Sequence, residues 1–264
     1  MGATSPQEID ALAADSRRRA EHAERELFAR VQAIGSRFSR PALASSLSAE
    51  DMVLLDAIAA TGAAIDVFAI DTGRLHAETL ALVDAARARY GVAIEIVRPL
   101  AGRIEAYVRE HGLNGFHDGV SQRHLCCAIR KVEPLGRALQ GRDAWLTGQR
   151  RAHGPERAGL QAEERDAERG IAKFSPLAEW SDDALWSFVK RRDVPTNALY
   201  ARGYASIGCE PCTRAIRSGE DPRAGRWWWE QGAAKECGLH LPGIRVEPVA
   251  TSAQASSDAV TGLD

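Results

Sequence analysis

Short apolar segments alternate with helical segments between residues 42 and 148, and this alternation constrains the fold more than any other feature. The segments "ALASSLS", "AIDVFAID", "VAIEIV" and "DAWLTG" have the length and apolar character of buried strands. Amphipathic helical segments lie between them, and Gly62 and Gly91 are placed to end two of these helices. Such alternation predicts an α/β fold with a parallel sheet covered by helices on both faces, which is a three-layer sandwich.

The remaining segments have other patterns. Residues 7–38 carry apolar side chains at helical spacing and predict one or two helices, whereas residues 149–170 are almost without apolar side chains and predict a mobile, charged loop. The segment "SDDALWSFVKRRDV" predicts a further helix. Everything after Pro242 lacks periodicity and predicts a disordered tail. We therefore expect an N-terminal helical segment (1–40), a main domain with its own C-terminal tail (41–240) and a disordered tail (241–264).

Charge and hydropathy exclude several classes of partner. The net charge is −2 at pH 7, and no extended basic stripe is present, so nucleic acid is not an expected partner. No apolar run is long enough to span a membrane, and the N-terminus lacks the apolar core of a secretory signal. These features predict a cytoplasmic protein without a membrane partner, and they are compatible with a homo-oligomer.

A serine-rich loop follows the first predicted strand, at the edge where parallel α/β sheets bind their ligands. Ser48, followed three residues later by Asp51, matches a capping box, and this motif alone indicates no more than a helix start. Hydroxyls ahead of a helix N-terminus can also form an anion cradle, because they join free N–H groups at the positive end of the dipole. Ser45 and Ser46 are therefore candidate anion-binding residues.

Two further loops repeat this pattern after later strands. One loop holds Asp71, Thr72 and Gly73, with a basic residue directly after them. The other is "TGQRR", in which a glycine allows close backbone approach and Arg150 supplies positive charge. Three strand ends with polar or basic residues predict a nucleotide or another phosphate ligand at this edge of the sheet.

The five cysteines divide into a set of four and a single residue. Cys126 and Cys127 are adjacent, and Cys209 and Cys212 form a Cys-x-x-Cys pair. Because cytosolic cysteines stay reduced, metal binding or catalysis is favoured over disulfides. Four thiolates suit either Zn²⁺ or an iron–sulfur cluster. Adjacent ligands converge poorly on one small tetrahedral ion but can reach different irons of a cubane, so the spacing favours a cluster; zinc and unrelated buried cysteines are the alternatives.

The single cysteine, Cys237, lies in "KECGLH" between a lysine and His240. Basic neighbours lower the pKa of a thiol and favour a nucleophilic thiolate, whereas the alternative is a spare surface thiol. The three tryptophans of "GRWWWE" are assigned mainly to packing. Basic side chains that match phosphate or sulfate oxygens cluster near the cysteine pairs, namely Arg130, Lys131, Arg214, Arg217, Arg223 and Arg226.

Motifs in chain order from about residue 43 to residue 240 resemble the assimilatory adenylyl-sulfate reductases of bacteria, within the phosphoadenylyl-sulfate reductase family. The motifs are "SAEDMVLLD", "DTGRLHAET", "CCAIRKVEPL", "TGQRR", "VPTNALYARGYASIGCEPCTRAI", "GRWWWE" and "KECGLH". The combination of the paired cysteines, the Cys-x-x-Cys and "ECGLH" is highly specific.

The resemblance implies an adenine nucleotide alpha hydrolase-like sandwich that binds adenosine 5′-phosphosulfate at its strand ends. It implies that Cys237 attacks the sulfate sulfur, releases AMP and becomes S-sulfonated, after which a separate thioredoxin releases sulfite. It also implies substrate contacts from Lys131, Arg223, Arg226 and His240. The implied ligands of a single 4Fe–4S cluster, which we expect to tune the site rather than transfer electrons, are Cys126, Cys127, Cys209 and Cys212.

Other interpretations remain beside this one. The nearest alternative is a reductase of 3′-phosphoadenosine 5′-phosphosulfate or an enzyme that accepts both nucleotides, and the presence of both cysteine pairs favours the unphosphorylated substrate. A non-catalytic zinc-binding module is the alternative from a different class. An ATP-dependent thiolation enzyme would need a Ser-Gly-Gly-Lys-Asp loop, which "SSLSAED" does not supply.

Many relatives have glycine where Ser48 stands, so a Cβ there can crowd the ligand. The segment around Cys237 is expected to move, because its sulfur must meet both a nucleotide and a protein.

Overall fold

A six-stranded sheet forms the centre of the fold in the computed structural model, which describes residues 6–230 without the side chains of residues 6–13 and 16. The strand order is β3-β2-β1-β4-β6-β5, and only β5 runs antiparallel to its neighbour. The strands are β1 (Pro41–Ser45), β2 (Asp66–Ile70), β3 (Ile94–Val97), β4 (Ala144–Leu146), β5 (Glu163–Asp166) and β6 (Ile171–Phe174).

Helices connect the parallel strands and cover both faces of the sheet. They are α1 (Pro6–Arg37), α2 (Ala49–Thr61), α3 (Ala77–Tyr90), α4 (Ala101–His111), α5 (Val120–Cys127), α6 (Glu133–Leu139) and α7 (Asp182–Arg192). A π-helical turn, Ala128–Val132, joins α5 to α6. The larger apolar cluster includes Leu27, Val53 and Leu185 from three helices, and the smaller one packs Leu135 and Leu139 of α6 on the other face. The predicted three-layer α/β sandwich is therefore confirmed.

The predicted elements of the parallel sheet are present with close boundaries. Gly62 and Gly91 end α2 and α3 with φ of 62° and 65°, in the left-handed region that glycine tolerates best. The N-terminal segment forms one helix, and its residues Leu27, Val31 and Ile34 belong to the larger apolar cluster. No helix within residues 6–230 has the length and apolar character needed to cross a membrane.

The prediction of a mobile loop over residues 149–170 is wrong in part. This segment contains two 3-10 turns and β5, which pairs antiparallel with β6. Glu164 lies opposite Lys173 on β6, and their side chains form an ion pair at 2.7 Å. Because β5 is an edge strand with charged side chains, it lacks the apolar pattern from which strands are predicted. The tail predicted after Pro242 lies outside the described residues.

The order of the strands decides where a ligand can enter. β1 pairs with β2 on one side and with β4 on the other. The chain therefore adds β2 and β3 on one side of β1 and β4 on the opposite side. The loops that leave the carboxyl ends of β1 and β4 therefore separate and leave a crevice, which is the usual ligand site of open α/β sheets.

Candidate active site

A pocket of about 1120 Å³ occupies this crevice at the carboxyl ends of β1 and β4. Its volume is slightly above the range for small-molecule sites, which is roughly 300–1,000 Å³. The loops after β1 and β4 and the segment between residues 203 and 226 line its walls. The residues predicted to bind substrate that line this pocket are Ser45, Ser46, Thr72, Lys131, Arg150, Arg223 and Arg226.

Asp71 and Gly73 do not line the pocket. The Asp71 carboxylate accepts a hydrogen bond from the Gly73 N–H at 2.9 Å and pairs with Arg98 at 3.1 Å. Gly73 has a φ of 69°, which side chains with a Cβ rarely adopt. The structure therefore gives both residues a part in the turn after β2, while Thr72 at the same turn faces the pocket.

Asp51 organises the serine-rich loop after β1. Its carboxylate accepts hydrogen bonds from the Ser46 N–H at 2.7 Å, the Ser46 hydroxyl at 2.6 Å and the Gly148 N–H at 2.9 Å. Burial raises the pKa of Asp51, and the hydrogen bonds from Ser46 oppose this effect. Ser48 accepts from the Asp51 N–H, so the predicted helix cap is confirmed. The N–H and the hydroxyl of Ser46 are therefore both bonded to Asp51 within the loop. The Ser45 hydroxyl accepts a hydrogen bond from the Leu47 N–H.

Position 148, in the loop after β4, requires a glycine because it lies very close to the first residues of α2. A Cβ at this position would lie 2.6 Å from both Asp51 Oδ1 and the Glu50 Cβ. We expect Gly148→Ala to lower the free energy of unfolding by about 1–3 kcal/mol, because the loop must shift or the Asp51 hydrogen bond must break. Urea unfolding measures this change.

Gly136→Ala is the matched control for this substitution, because Gly136 lies in α6 and a Cβ there meets nothing within 4 Å. The control should leave stability unchanged or raise it by up to about 1 kcal/mol, through helix propensity. Equal stability of Gly148→Ala and the wild type would contradict the close packing inferred here.

A buried ion-pair network joins the loop after β4 to two helices. The Arg150 guanidinium donates to Glu50 Oε1 at 2.7 and 3.0 Å, to Asp182 at 2.6 Å and to the Trp180 carbonyl at 3.0 Å. His153 Nε2 lies 2.9 Å from the same Glu50 oxygen. Arg150 therefore lines the pocket while its guanidinium is held by protein acceptors, and its predicted contact with substrate stays a prediction.

This network makes stability depend on pH in the acid range. Burial raises the pKa of Glu50, but the hydrogen bond and charge of His153 and the charge of Arg150 outweigh it and lower the pKa from 4.5 to about 2. A lowered carboxyl pKa stabilises the fold above the unfolded value and loses this contribution as pH falls. At neutral pH, Glu50→Gln should cost about 3 kcal/mol of unfolding free energy.

The difference between Glu50→Gln and the wild type should shrink as pH falls from 4.5 towards 2, because the Glu50 carboxyl then protonates. Unfolding free energies in urea, measured at several pH values for both proteins, give this difference directly. A difference that stays constant over that window would contradict the lowered pKa of Glu50.

The four paired cysteines line one small cavity of about 20 Å³ next to the pocket. Cys126 and Cys127 end α5, whereas Cys209 is the N-cap of a 3-10 turn that ends at Cys212. The Thr72 hydroxyl lies 3.3 Å from the Cys209 sulfur. The structure therefore brings together all four residues that the sequence analysis predicted as ligands.

The π-helical turn directly after Cys127 alters the helix at this cavity. A spacing of four residues, as between Cys127 and Lys131, is about one turn of an α-helix, whereas Ala128–Val132 is π-helical and wound more widely. Lys131 nevertheless lines the cysteine cavity together with Cys126 and Cys127. Single π-helical turns occur frequently at functional sites, so this local departure from α-helix agrees with a specialised region.

Four thiols line this cavity, and four thiolates are the donor set of either a zinc ion or an iron–sulfur cluster. Within residues 6–230, no three His, Cys, Asp or Glu side chains are arranged to hold one metal ion. Burial raises the pKa of Cys126 and raises that of Cys212 to about 12. Bound cations would offset the cost of burying these thiolates. The thiols of both cysteine pairs line one cavity, as a shared metal group would require.

Cationic side chains lie between the pocket and the cysteine cavity. Lys131 lines both spaces, as does Cys209. The buried Arg130 donates to the Thr72 carbonyl at 2.7 Å, and the buried Arg226 lies 3.3 Å from the Ser206 hydroxyl. Their positive charge can offset the negative charge of an anionic ligand on one side and of thiolates on the other.

Sequence patterns missed several residues of this region. Glu50 and His153 belong to the buried network, Arg157 lines the pocket, and Arg123 lines the cysteine cavity. Glu50 and Arg150 are 100 positions apart, so no local motif could have joined them. Cys237 and His240 lie outside the described residues, and their predicted roles stay predictions.

The chain is similar in sequence to known proteins over most of its length. The phosphoadenosine phosphosulfate reductase domain matches residues 40–215 of the chain. The chain is 54% identical to the adenosine 5′-phosphosulfate reductase of Burkholderia cepacia, over 85% of this chain and 89% of that protein. It is 51% identical to the protein of the same name from Allochromatium vinosum, over 75% of this chain and 77% of that protein.

Solved structures resemble the fold as well. The phosphoadenylyl-sulfate reductase of Candida auris, solved as a phosphate complex, has a TM-score of 0.58 and 25% identity, over 80% of this chain and 98% of that chain. The FMN adenylyltransferase of Candida glabrata has a TM-score of 0.55 and 14% identity, over 88% of this chain and 78% of that chain. This likeness shows the adenine nucleotide alpha hydrolase-like fold alone. By fold, by motifs and by these likenesses, the chain belongs to the phosphoadenosine phosphosulfate reductase family of oxidoreductases that act on sulfur.

Proposed function

We propose that the chain reduces adenosine 5′-phosphosulfate to sulfite and AMP in assimilatory sulfate reduction. The observation that carries this proposal is the contact between the two spaces: the nucleotide-sized pocket and the four-cysteine cavity share Lys131 and Cys209. The relatives from Burkholderia cepacia and Allochromatium vinosum are both named for this reaction. The reductase activity is assigned to residues 41–240 and to the cytoplasm.

The reaction divides into two balanced steps. In the first, the Cys237 thiolate forms a bond to the sulfate sulfur, the bond from that sulfur to the phosphate oxygen breaks, and AMP leaves with the electron pair. In the second, one thiol of a separate thioredoxin attacks the sulfur of Cys237 and sulfite leaves. The second thiol of thioredoxin then releases the regenerated Cys237, so the dithiol supplies two electrons and becomes a disulfide.

Basic residues at the pocket can stabilise the first step. Negative charge moves from the attacking sulfur to the phosphate oxygens of the leaving AMP, and cations near both oxygen groups favour that transfer. Lys131 and Arg226 line the pocket beside the cysteine cavity, and Arg223 lines it nearby. Arg226 is buried, so its charge is weakly screened by water. His240 is proposed to join them from the C-terminal segment.

The cysteine cavity is proposed to hold one 4Fe–4S cluster through Cys126, Cys127, Cys209 and Cys212. When bound, the cluster supplies an electrostatic contribution to the neighbouring site and takes no electrons from thioredoxin. Lys131 faces the cavity and the pocket at once, so its ammonium group can interact with thiolates and with the substrate's sulfate group.

Assay of the two candidate nucleotides at matched concentrations tests the proposal. We expect sulfite release from adenosine 5′-phosphosulfate with reduced thioredoxin, and a kcat/KM at least about 100-fold lower for the 3′-phosphorylated nucleotide, as for a site that rejects a misplaced charged group. Equal values would identify a dual-substrate enzyme. Sulfite release from the 3′-phosphorylated nucleotide alone would overturn the substrate assignment.

A further inference from the structure

A bidentate ion pair holds the last described residue of the chain against α5. Arg123 donates from Nε to Glu230 Oε1, and from Nη2 to Glu230 Oε2 at 3.0 Å. The side chain of Arg123 is 2% exposed and that of Glu230 is 12% exposed. Paired guanidinium and carboxylate groups of this geometry fix direction as well as distance. Removal of the Glu230 carboxylate would take this acceptor from a buried guanidinium, which is costly.

Two guanidinium groups lie against the ring of Trp227 at the same place. The Arg123 guanidinium lies 4.4 Å from the centre of the Trp227 ring, and that of Arg226 lies 4.6 Å from it. Trp227 has a φ of 43°, which is uncommon for a bulky residue and is maintained only where surrounding contacts fix it. Its N–H donates to the Cys212 carbonyl at 3.2 Å, and its own carbonyl accepts from the Glu230 N–H at 2.9 Å.

The contacts therefore tie the turn 227–230 to both cysteine pairs. Arg123 lies on the helix that ends in Cys126 and Cys127, and Trp227 is hydrogen-bonded to Cys212. The chain reaches Cys237 seven residues after Glu230. We propose that Arg123, Trp227 and Glu230 form an anchor that fixes the chain at Glu230, seven residues before Cys237, and so limits the reach of Cys237, with Arg123 and Glu230 as positioning residues. This inference rests on the proposed function, in which Cys237 is the nucleophile.

The length of chain between fixed points gives the expected effect. Seven residues span at most about 25 Å, so fixing Glu230 sets an upper limit on the distance of Cys237 from the anchor. Without the anchor, the nearest described bridge upstream joins Arg226 to Thr213, eleven residues before Cys237, and this limit rises to about 40 Å. Because attack requires a narrow geometry, we expect transfer to slow about tenfold.

The test measures the rate at which the cluster-containing enzyme becomes S-sulfonated. Enzyme is mixed with adenosine 5′-phosphosulfate without a reductant, and intact mass follows the added sulfonate group. Glu230→Gln should slow this step about tenfold, with the Kd for AMP changed less than about twofold and the visible spectrum unchanged. The double variant Arg123→Gln/Glu230→Gln should be no slower than the slower single variant, because both residues act through one contact.

Glu24→Gln is the matched control. Glu24 pairs with Arg191 at 2.6 Å and Arg192 at 3.2 Å, and it joins α1 to α7 outside the pocket lining. This variant should keep the wild-type rate of S-sulfonation. A rate for Glu230→Gln within twofold of the wild type would overturn the anchor, as would a parallel loss of AMP affinity or visible absorption.

Hydrogen exchange separates failure of the anchor from failure of the proposed function. A wild-type enzyme that is not S-sulfonated overturns the proposed function, whatever the state of the anchor. The anchor is then judged from the amides of Trp227 and Glu230, whose exchange should speed at least tenfold in Glu230→Gln. Unchanged exchange at both amides would overturn the anchor by itself.

Discussion

Replacement of Cys237 by serine should abolish sulfite release while the bound iron and the affinity for AMP stay at wild-type values. Serine is a far weaker nucleophile than a thiolate at neutral pH, so we expect the rate of S-sulfonation to fall by about 10³-fold or more. Cys237 stands apart in sequence from the four cysteines that line the cavity. Its loss should therefore affect the attack on sulfur alone.

Two measurements on the same preparation check this expectation. Intact mass after incubation with adenosine 5′-phosphosulfate should show the sulfonate group on the wild type and none on Cys237→Ser. Iron content and visible absorption should be equal in the two proteins. Substantial sulfite release by the variant would contradict a covalent intermediate on Cys237, and S-sulfonation at another cysteine would reassign the nucleophile.

Replacement of Cys212 by serine should lower the content of iron and sulfide, because it removes a proposed cluster ligand and keeps the proposed nucleophile, Cys237. The wild type, purified without oxygen, should be brown and contain about four iron and four sulfide per chain. Cys212→Ser should lose most of both. The pKa of the Cys212 thiol is raised by burial to about 12, so its thiolate needs bound cations to remain in this cavity.

Cys237→Ser serves as the control for this variant, since it removes a thiol and should leave the colour intact. Colourless wild-type protein that contains zinc would contradict the cluster and favour the zinc-binding module. Iron content in Cys212→Ser equal to that of the wild type would remove Cys212 from the proposed ligands. Thermal unfolding of Cys212→Ser should also begin at lower temperature, because metal binding and folding are coupled.

The parallel part of the sheet could be predicted because its signals are local. Buried strands such as β2 are continuous apolar runs, and Gly62 ends α2 through a backbone conformation that few other residues adopt. β5 could not be predicted in this way. It is stabilised by pairing with β6 and exposes charged side chains, so its own sequence carries no strand pattern.

The candidate site also combines contacts that a local motif indicates with contacts between distant segments of the chain. Ser48 could be predicted as a helix cap because its partner, the Asp51 N–H, lies three residues away. The contacts of Asp51 with Gly148 and of Glu50 with Arg150 could not, because they join loops that meet only after β1 pairs with β4. For Arg150, the tertiary structure shows a buried ion pair where the sequence suggested only a free positive charge.

By itself, the sequence determined the α/β class, the division of the cysteines into four and one, and the family, because these depend on composition, spacing and motif order along the chain. Only the tertiary structure decided that both cysteine pairs face one cavity, that Lys131 and Cys209 border this cavity and the pocket, and that Arg123 holds Glu230. The physical reason is that such contacts join residues distant in the chain. Strand order and close packing select these partners, and no local sequence pattern indicates either of them.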